Sequence, residues 1–356
     1  MTERRADRAI LYDRILEQCL ALRTGEHFAL IADSANGHDA LALYEFAERH
    51  TSERTLVLAG ANEHKLVAAA QVALAEADVF VGLINGSISH TEPRRQANAR
   101  GARGVQLGNL TSLERLLPID IAQVAKRARE TADALSNANQ IAVTCPRGTN
   151  LALDVSHCTA IADDGDFTLA GSYGNIPFGE AYLPCGGGGI AYPKTIAGLG
   201  FVGADTKLTL DGGRLLAASG TDGARLLALL DAHGAAGRHL AELGLGVSHQ
   251  ARFCGDITED EKILGTVHIA FGADASFGGD VAVGVHIDCV IANASLTIDG
   301  HRFGELSPNC PANSLGQNAR TYGSRPHAMV RRRRLFESVR GRLWRSSHHM
   351  KDASVP

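Results

Sequence analysis

His27-Phe28-Ala29-Leu30-Ile31-Ala32, closed by Asp33, is an apolar run too short for a helix, and it reads as a strand buried on both faces. Upstream, Asp7 to Leu22 places Ile10, Leu11, Ile15, Leu16 and Leu20 on one helical face. Downstream, the pattern alternates: helix over 39–49, strand over 55–59, helix over 64–76, then strands over 79–84 and 104–107. Asp33, Gly60 and Gly86 close strands in the manner of turns at one sheet edge. This β-α-β-α-β rhythm predicts a parallel sheet covered by helices.

A further helix, over 119–135, links this half to one of different texture. There, strands are expected over 140–144, 150–154, 167–170 and 206–210. Asp164-Gly165, Asp211-Gly212 and Asp222-Gly223 read as turns. Helices are expected over 223–233 and near 237–243. The fold class is therefore α/β in the N-terminal half, with a mainly antiparallel α+β second half. The expected division is 1–137 for the parallel-sheet domain, 138–304 for the second domain, and 305–356 for a basic tail. That tail carries Arg331 to Arg334 in a row, with Leu335, Phe336, Val339, Leu343 and Trp344 between later arginines. It is either a frayed terminus or an amphipathic basic helix.

Hydrophobic residues at 45% and charged residues at 21% allow a sizeable core, and a net charge of −4 gives no reason to expect nucleic acid or an anionic membrane as partner. Met1 to Arg8 has no signal-peptide pattern, and no apolar run is long enough to span a bilayer, so a cytoplasmic location is expected. The 7 cysteines include no C-x-x-C pair and are read as small buried hydrophobes. Neither G-x-G-x-x-G nor a P-loop pattern occurs in the first half, which removes the main sequence support for nucleotide binding. Ser89-His90-Thr91, with Arg94 and Arg95, is either a functional loop or ordinary surface.

The residues with chemistry lie in the second half. His286 and Asp288 are two apart among Val285, Ile287, Cys289 and Val290, so on a strand they project from one face. His268 stands in a second β-like run, Thr266–Ala270. Glu180 and Glu242 occupy turn-rich contexts. Imidazole nitrogens with carboxylate oxygens suit Zn²⁺, Mn²⁺, Co²⁺ or Fe²⁺ better than Ca²⁺. Taken alone, an H-x-D pair on one strand face equally describes two side chains bonded to each other or to water.

Several motifs in fixed order add to this: Gly148-Thr149-Asn150-Leu151, Asn175-Ile176-Pro177 with Gly179-Glu180, Glu242-Leu243-Gly244, Gly265-Thr266-Val267-His268-Ile269-Ala270-Phe271-Gly272, Phe277-Gly278-Gly279, His286-Ile287-Asp288 and Thr297-Ile298-Asp299-Gly300. In these the chain resembles the aminopeptidase T family of metallopeptidases, and more closely its shorter leucyl-aminopeptidase-like branch. The resemblance implies a flavodoxin-like N-terminal sheet, a homodimer and a short-peptide or other small-molecule substrate. It also implies two divalent metals per chain (Zn, Co or Mn) on Glu180, Glu242, His268, His286 and Asp288. Hydrolysis by metal-activated water is the expected activity, with Glu242 and Glu261 in catalytic parts. Glu261 belongs to the acidic run Glu259-Asp260-Glu261, which reads either as a proton shuttle or as a solvated turn.

The chain departs from the family pattern at three places. Ala275 stands where the longer aminopeptidases carry Tyr, Lys262-Ile263-Leu264 where they carry Asp-Glu-Asn, and Ala273-Asp274 where the close branch carries Asp-Asn. A ring-cleaving dihydroxypyridine dioxygenase group is similar in the same half, and it implies the alternative: one Fe(II) on His268, His286 and Asp288.

Overall fold

The computed structural model describes residues 2–59, 67–84, 88–89, 91–108, 113 and 120–304, with side chains from residue 8 onward. These residues lie in the compact unit Met1–Pro311; the second unit, Ala312–Pro356, lies outside the described residues, as do Cys310 and the arginine-rich segment.

The apolar runs of the first half form β1 (Phe28–Asp33), β2 (Arg54–Ala59), β3 (Val79–Leu83) and β4 (Arg103–Leu107). Between and around them stand α1 (Thr2–Asp13), α2 (Gly37–Phe46), α3 (Ala68–Glu76), α4 (Glu92–Ala99) and α5 (Ile121–Ser136). The second half supplies β5 (Gln140–Thr144), β6 (Asn150–Asp154), β7 (Ile161–Asp163), β8 (Tyr173–Ile176), β9 (Glu180–Leu183) and β10 (Gly186–Ala191). It continues with β11 (Thr195–Ile196), β12 (Gly200–Phe201), β13 (Lys207–Asp211), β14 (Arg214–Ser219) and α6 (Gly220–Asp231). The series ends with β15 (Leu240–Gly246), β16 (Val267–Gly272), β17 (His286–Ile291), β18 (Ser295–Ile298) and β19 (His301–Phe303).

The first sheet is parallel throughout, in the order β2-β1-β3-β4-β8. That is the 2-1-3-4-5 order of doubly wound flavodoxin-like sheets, with its last strand drawn from the second half of the chain. Leu30, Val81 and Val105 face a cluster with Leu11, Leu16, Leu43, Val124 and Ala128, while Ala29, Ile31 and Phe80 face Ala70, Leu74 and Ala97 on the other side. β1 and β3 therefore bury both faces, as their unbroken apolar runs require, while edge strand β2 leaves Leu58 exposed.

The other two sheets are antiparallel, in the orders β14-β13-β10-β6-β5-β18-β19 and β12-β11-β17-β16-β15-β9-β7. They enclose one core, to which Ile141, Val143, Leu151, Leu153, Leu208 and Leu296 come from the first and Leu183, Leu243, Leu245, Ile269, Phe271 and Ile291 from the second.

Three local expectations are corrected. The segment expected as a helix near 237–243 is β15: every residue of 240–246 is buried and the strand pairs on both sides, so ladder pairing overrides the helical preference of Leu-Ala-Glu-Leu. The segment 167–170 is a loop rather than a strand. Asp166 accepts from the Thr168 N–H, Ser172 Oγ donates to the Phe167 carbonyl, and the Phe167 ring lies under Gly174. Such local side-chain bonds compete with a ladder. Asp222-Gly223 opens α6 instead of making a turn, and Asp222 accepts from the Gly203 N–H at 3.0 Å. The cysteines of the described residues form no disulfide; Cys19, Cys185 and Cys289 are buried, whereas Cys254 is exposed.

Candidate metal centre

The pleat of the third sheet gathers the candidate ligands. Across the ladder, Asp288 pairs with Ala270 and Ala270 with Glu242; His268 pairs with Gly244, and Glu180 with Gly246 and Asp163. Directly opposed residues share a face, and so do residues two apart on a strand. Asp163, Glu180, Glu242, His268, His286 and Asp288 therefore all rise from one face. The alternate residues Ala181, Leu243, Leu245, Val267, Ile269, Phe271, Ile287 and Cys289 point into the core between the antiparallel sheets. Apolar alternation fixes which way the chemistry points, because a slip of one residue would bury the ligands in that core.

Glu242 stands between the imidazoles. Its Oε1 is 3.1 Å from Nε2 of His268 and its Oε2 is 3.3 Å from Nε2 of His286. Asp288 Oδ1 is also 3.3 Å from that second nitrogen. Ligands held at roughly 2.0–2.2 Å from one ion lie about 3.0–3.5 Å apart, so these atoms have the spacing of a coordination shell. His286 donates its Nδ1–H to the Ala273 carbonyl at 2.7 Å, leaving Nε2 to face the carboxylates. Glu242, His268 and Asp288 offer ligand atoms within 4.8 Å of one another, as do Glu180, Glu261 and His268. These two groups share His268 and hold Glu180, Glu242, His268 and Asp288 of the predicted ligands, with Glu261 besides; His286 adjoins them through Glu242 and Asp288, each at 3.3 Å.

Over this face folds the turn that carries Glu261 and Lys262. The Ser248 N–H donates to the Lys262 carbonyl at 2.8 Å, and the turn lies so close on Gly246 that a Cβ there would meet the Glu261 carbonyl at 2.6 Å. Lys262 is fully buried, with Nζ 2.5 Å from Glu180 Oε1, 2.8 Å from Glu261 Oε1 and 3.3 Å from Asp163 Oδ2. Neither Lys262 nor Asp163 was among the residues singled out as chemical from the sequence. Only the departure at Lys262-Ile263-Leu264 pointed there. Glu259 and Asp260, the other acids of that run, bond instead to the backbone N–H groups of Arg252, Cys254 and Gly255 and tie down a loop.

The charges are those of a site that demands cations. Burial pushes the Glu180 carboxyl up to about 8 despite Lys262, and Asp163 up to about 6. Burial likewise raises Glu261. Burial works against the His268 imidazolium, yet its hydrogen bond to Glu242 and the charge of Glu180 hold it at about 9. His286 is raised well above the usual histidine range, because Asp288 and Glu242 outweigh its burial. Asp288, against its burial, is held down to about 2 by His286. Protons on the imidazoles balance the carboxylates, and a divalent ion on Glu242, His268, His286 and Asp288 fits the same donor set. Glu180 Oε2 and His268 Nδ1 are buried without a hydrogen-bond partner.

A loop closes the other side. Asp274 accepts from the Val281 N–H and from Nε2 of His239, each at 2.7 Å. The loop sets the Phe277 ring edge-on to His286 and Tyr182, with centroids 5.9 and 5.5 Å away.

No protein-family model matches the sequence, and no curated protein does. Among solved structures, the fold is similar to a 2,5-dihydroxypyridine dioxygenase from Pseudomonas putida KT2440, with a TM-score of 0.73 at 16% identity over 88% of this chain and 99% of that one. It is also similar to wild-type AmpT, an aminopeptidase T, from Thermus thermophilus, with a TM-score of 0.59 at 17% identity over 84% of this chain and 97% of that one. The chain shares its fold with both enzymes. Among the described residues, no helix is long and apolar enough to cross a membrane.

Proposed function

We propose that the protein is a divalent-metal-dependent hydrolase that cleaves a peptide or other amide bond of a small substrate. The position of Glu242 carries this reading. An ion that meets Nε2 of both His268 and His286 must also meet the carboxylate set between them at 3.1 and 3.3 Å. Glu242 and Asp288 then neutralise the ion, and the imidazoles complete a four-donor set. A facial triad of two His and one carboxylate, the pattern of non-haem iron oxygenases, leaves that second carboxylate with no part to play. Bound there, the ion would acidify a water and polarise a carbonyl. Glu261, on the turn folded over that face and near His268, would carry a proton between the attacking water and the leaving amine. Phe277 and Tyr182 give a substrate an apolar wall against His286.

The alternative, ring opening by one Fe(II), is favoured by the engagement of Glu180 with Lys262, which takes Glu180 out of a metal shell. One experiment separates the two. The full chain, loaded in turn with Zn²⁺, Mn²⁺, Co²⁺ and Fe²⁺, is assayed with aminoacyl amides and dipeptides, and for oxygen uptake with a dihydroxypyridine. Amide cleavage that is lost in Glu242→Gln supports the hydrolase. Oxygen uptake with Fe²⁺ and no amide cleavage with any ion overturns it.

A further inference from the structure

Two groups of ligand atoms stand side by side at this site, Glu242–His268–Asp288 and Glu180–Glu261–His268, and both require His268. The Nε2 atom that faces Glu242 at 3.1 Å is the same atom that faces Glu180 Oε2 at 3.5 Å. An imidazole nitrogen has one lone pair and serves one ion. The first group has a further imidazole in His286, whose Nε2 is 3.3 Å from both Glu242 and Asp288. The second group has instead the Lys262 ammonium, set on the very oxygens a second ion would need: 2.5 Å from Glu180 Oε1 and 2.8 Å from Glu261 Oε1, with Asp163 at 3.3 Å.

We propose that the Lys262 ammonium takes the place of a second cation, so that the chain holds one divalent ion, on Glu242, His268, His286 and Asp288, instead of the pair the family resemblance implies. The lysine cannot swing aside to admit one. Its side chain is wholly buried. Its backbone is held by the Ser248 N–H on its carbonyl at 2.8 Å and by its own N–H on the Glu259 carbonyl at 3.0 Å, in a turn pressed onto Gly246. A monovalent point charge with three donors suits three converging carboxylates. It also keeps Glu180 and Glu261 beside the first ion without letting them become ligands of another. The proposal rests on the metal-site reading above and goes beyond it in fixing the count and naming the residue that fixes it.

The test is a metal titration of the full chain, stripped with a chelator and dialysed, using Mn²⁺ and Zn²⁺ separately, with electron paramagnetic resonance of the Mn²⁺ form. The expected result is one equivalent per chain and the signal of an isolated Mn²⁺. Glu180→Gln should keep that one equivalent with little change in affinity. Lys262→Met, which frees three carboxylates without adding a charge, should bind a second equivalent and show an exchange-coupled pair. Two equivalents in the unaltered chain, loss of the ion in Glu180→Gln, or a folded Lys262→Met that stops at one equivalent overturns the proposal. Where Lys262→Met does not fold, the unaltered chain and Glu180→Gln decide it. No binding of either ion by the unaltered chain is a different failure, that of the metal site itself.

Discussion

A Cβ on Gly244 would stand 2.0 Å from Nε2 of His268, its direct partner across the ladder of β15 and β16. The imidazole occupies the space over the bare backbone where a side chain would stand, and from there it reaches Glu242. Gly244→Ala should therefore push the ring off its position, lower stability by roughly 1–3 kcal/mol as overpacked sites do, and weaken metal binding by about 10–100-fold. Denaturant unfolding and a metal titration check both. Unchanged affinity would mean the ring does not need that place.

The pH dependence of metal binding follows from the imidazoles. With no ion, His268 holds its proton up to about 9, above its ordinary value. An ion on Nε2 must displace that proton, so affinity should rise with pH towards about 9, by roughly tenfold per unit for one proton released. His286, raised in the same direction, steepens the rise. Asp288, held down to about 2, is ionised throughout and adds no slope. The sign for the metal-free fold is the reverse: a raised histidine pKa contributes stability that is complete below about 6.5 and is lost as pH rises through about 9. Calorimetric titrations between pH 6 and 9 read the slope directly, and a flat profile contradicts the geometry.

Asp274 ties the loop that orients His286. It is buried, it accepts from the Val281 N–H and from His239, and Gly279 packs on it so closely that a Cβ there would lie 2.0 Å from its carboxyl carbon. Its neighbour Ala273 accepts the His286 Nδ1–H. Asp274→Ala should cost about 1–3 kcal/mol through donors left unmet and reduce metal affinity about tenfold or more by loosening the ring's orientation. A variant with full affinity and lower stability would confine Asp274 to loop folding.

Period-two alternation made the core of the site readable in advance. Val267, Ile269 and Phe271 alternate with His268 and Ala270, and Ile287 and Cys289 with His286 and Asp288, so strand identity and facing follow from the residues alone. The unbroken runs of β1 and β3 announced a sheet covered on both sides in the same way. Glu242 was named as a ligand but placed near a helix, because Leu240-Ala241-Glu242-Leu243 has helical preference and only its two strand partners make it a ladder. Lys262 carried no positive signal. A lysine beside two acids reads as a solvated turn until Gly246 lets that turn close on the sheet and bury the ammonium. Strand β8 could not be assigned to the parallel sheet from sequence, because its pairing with β4 spans a separation that local patterning does not see.

The proposed site holds one ion, on Glu242, His268, His286 and Asp288. Anomalous diffraction at the metal edge from crystals of the Mn²⁺- or Zn²⁺-loaded chain tests it most directly. A single peak is expected about 2.0–2.2 Å from Nε2 of His268, Nε2 of His286 and oxygens of Glu242 and Asp288, with the Lys262 ammonium still on Glu180 and Glu261. A peak between Glu180 and Glu261, or none within reach of the imidazoles, would contradict it.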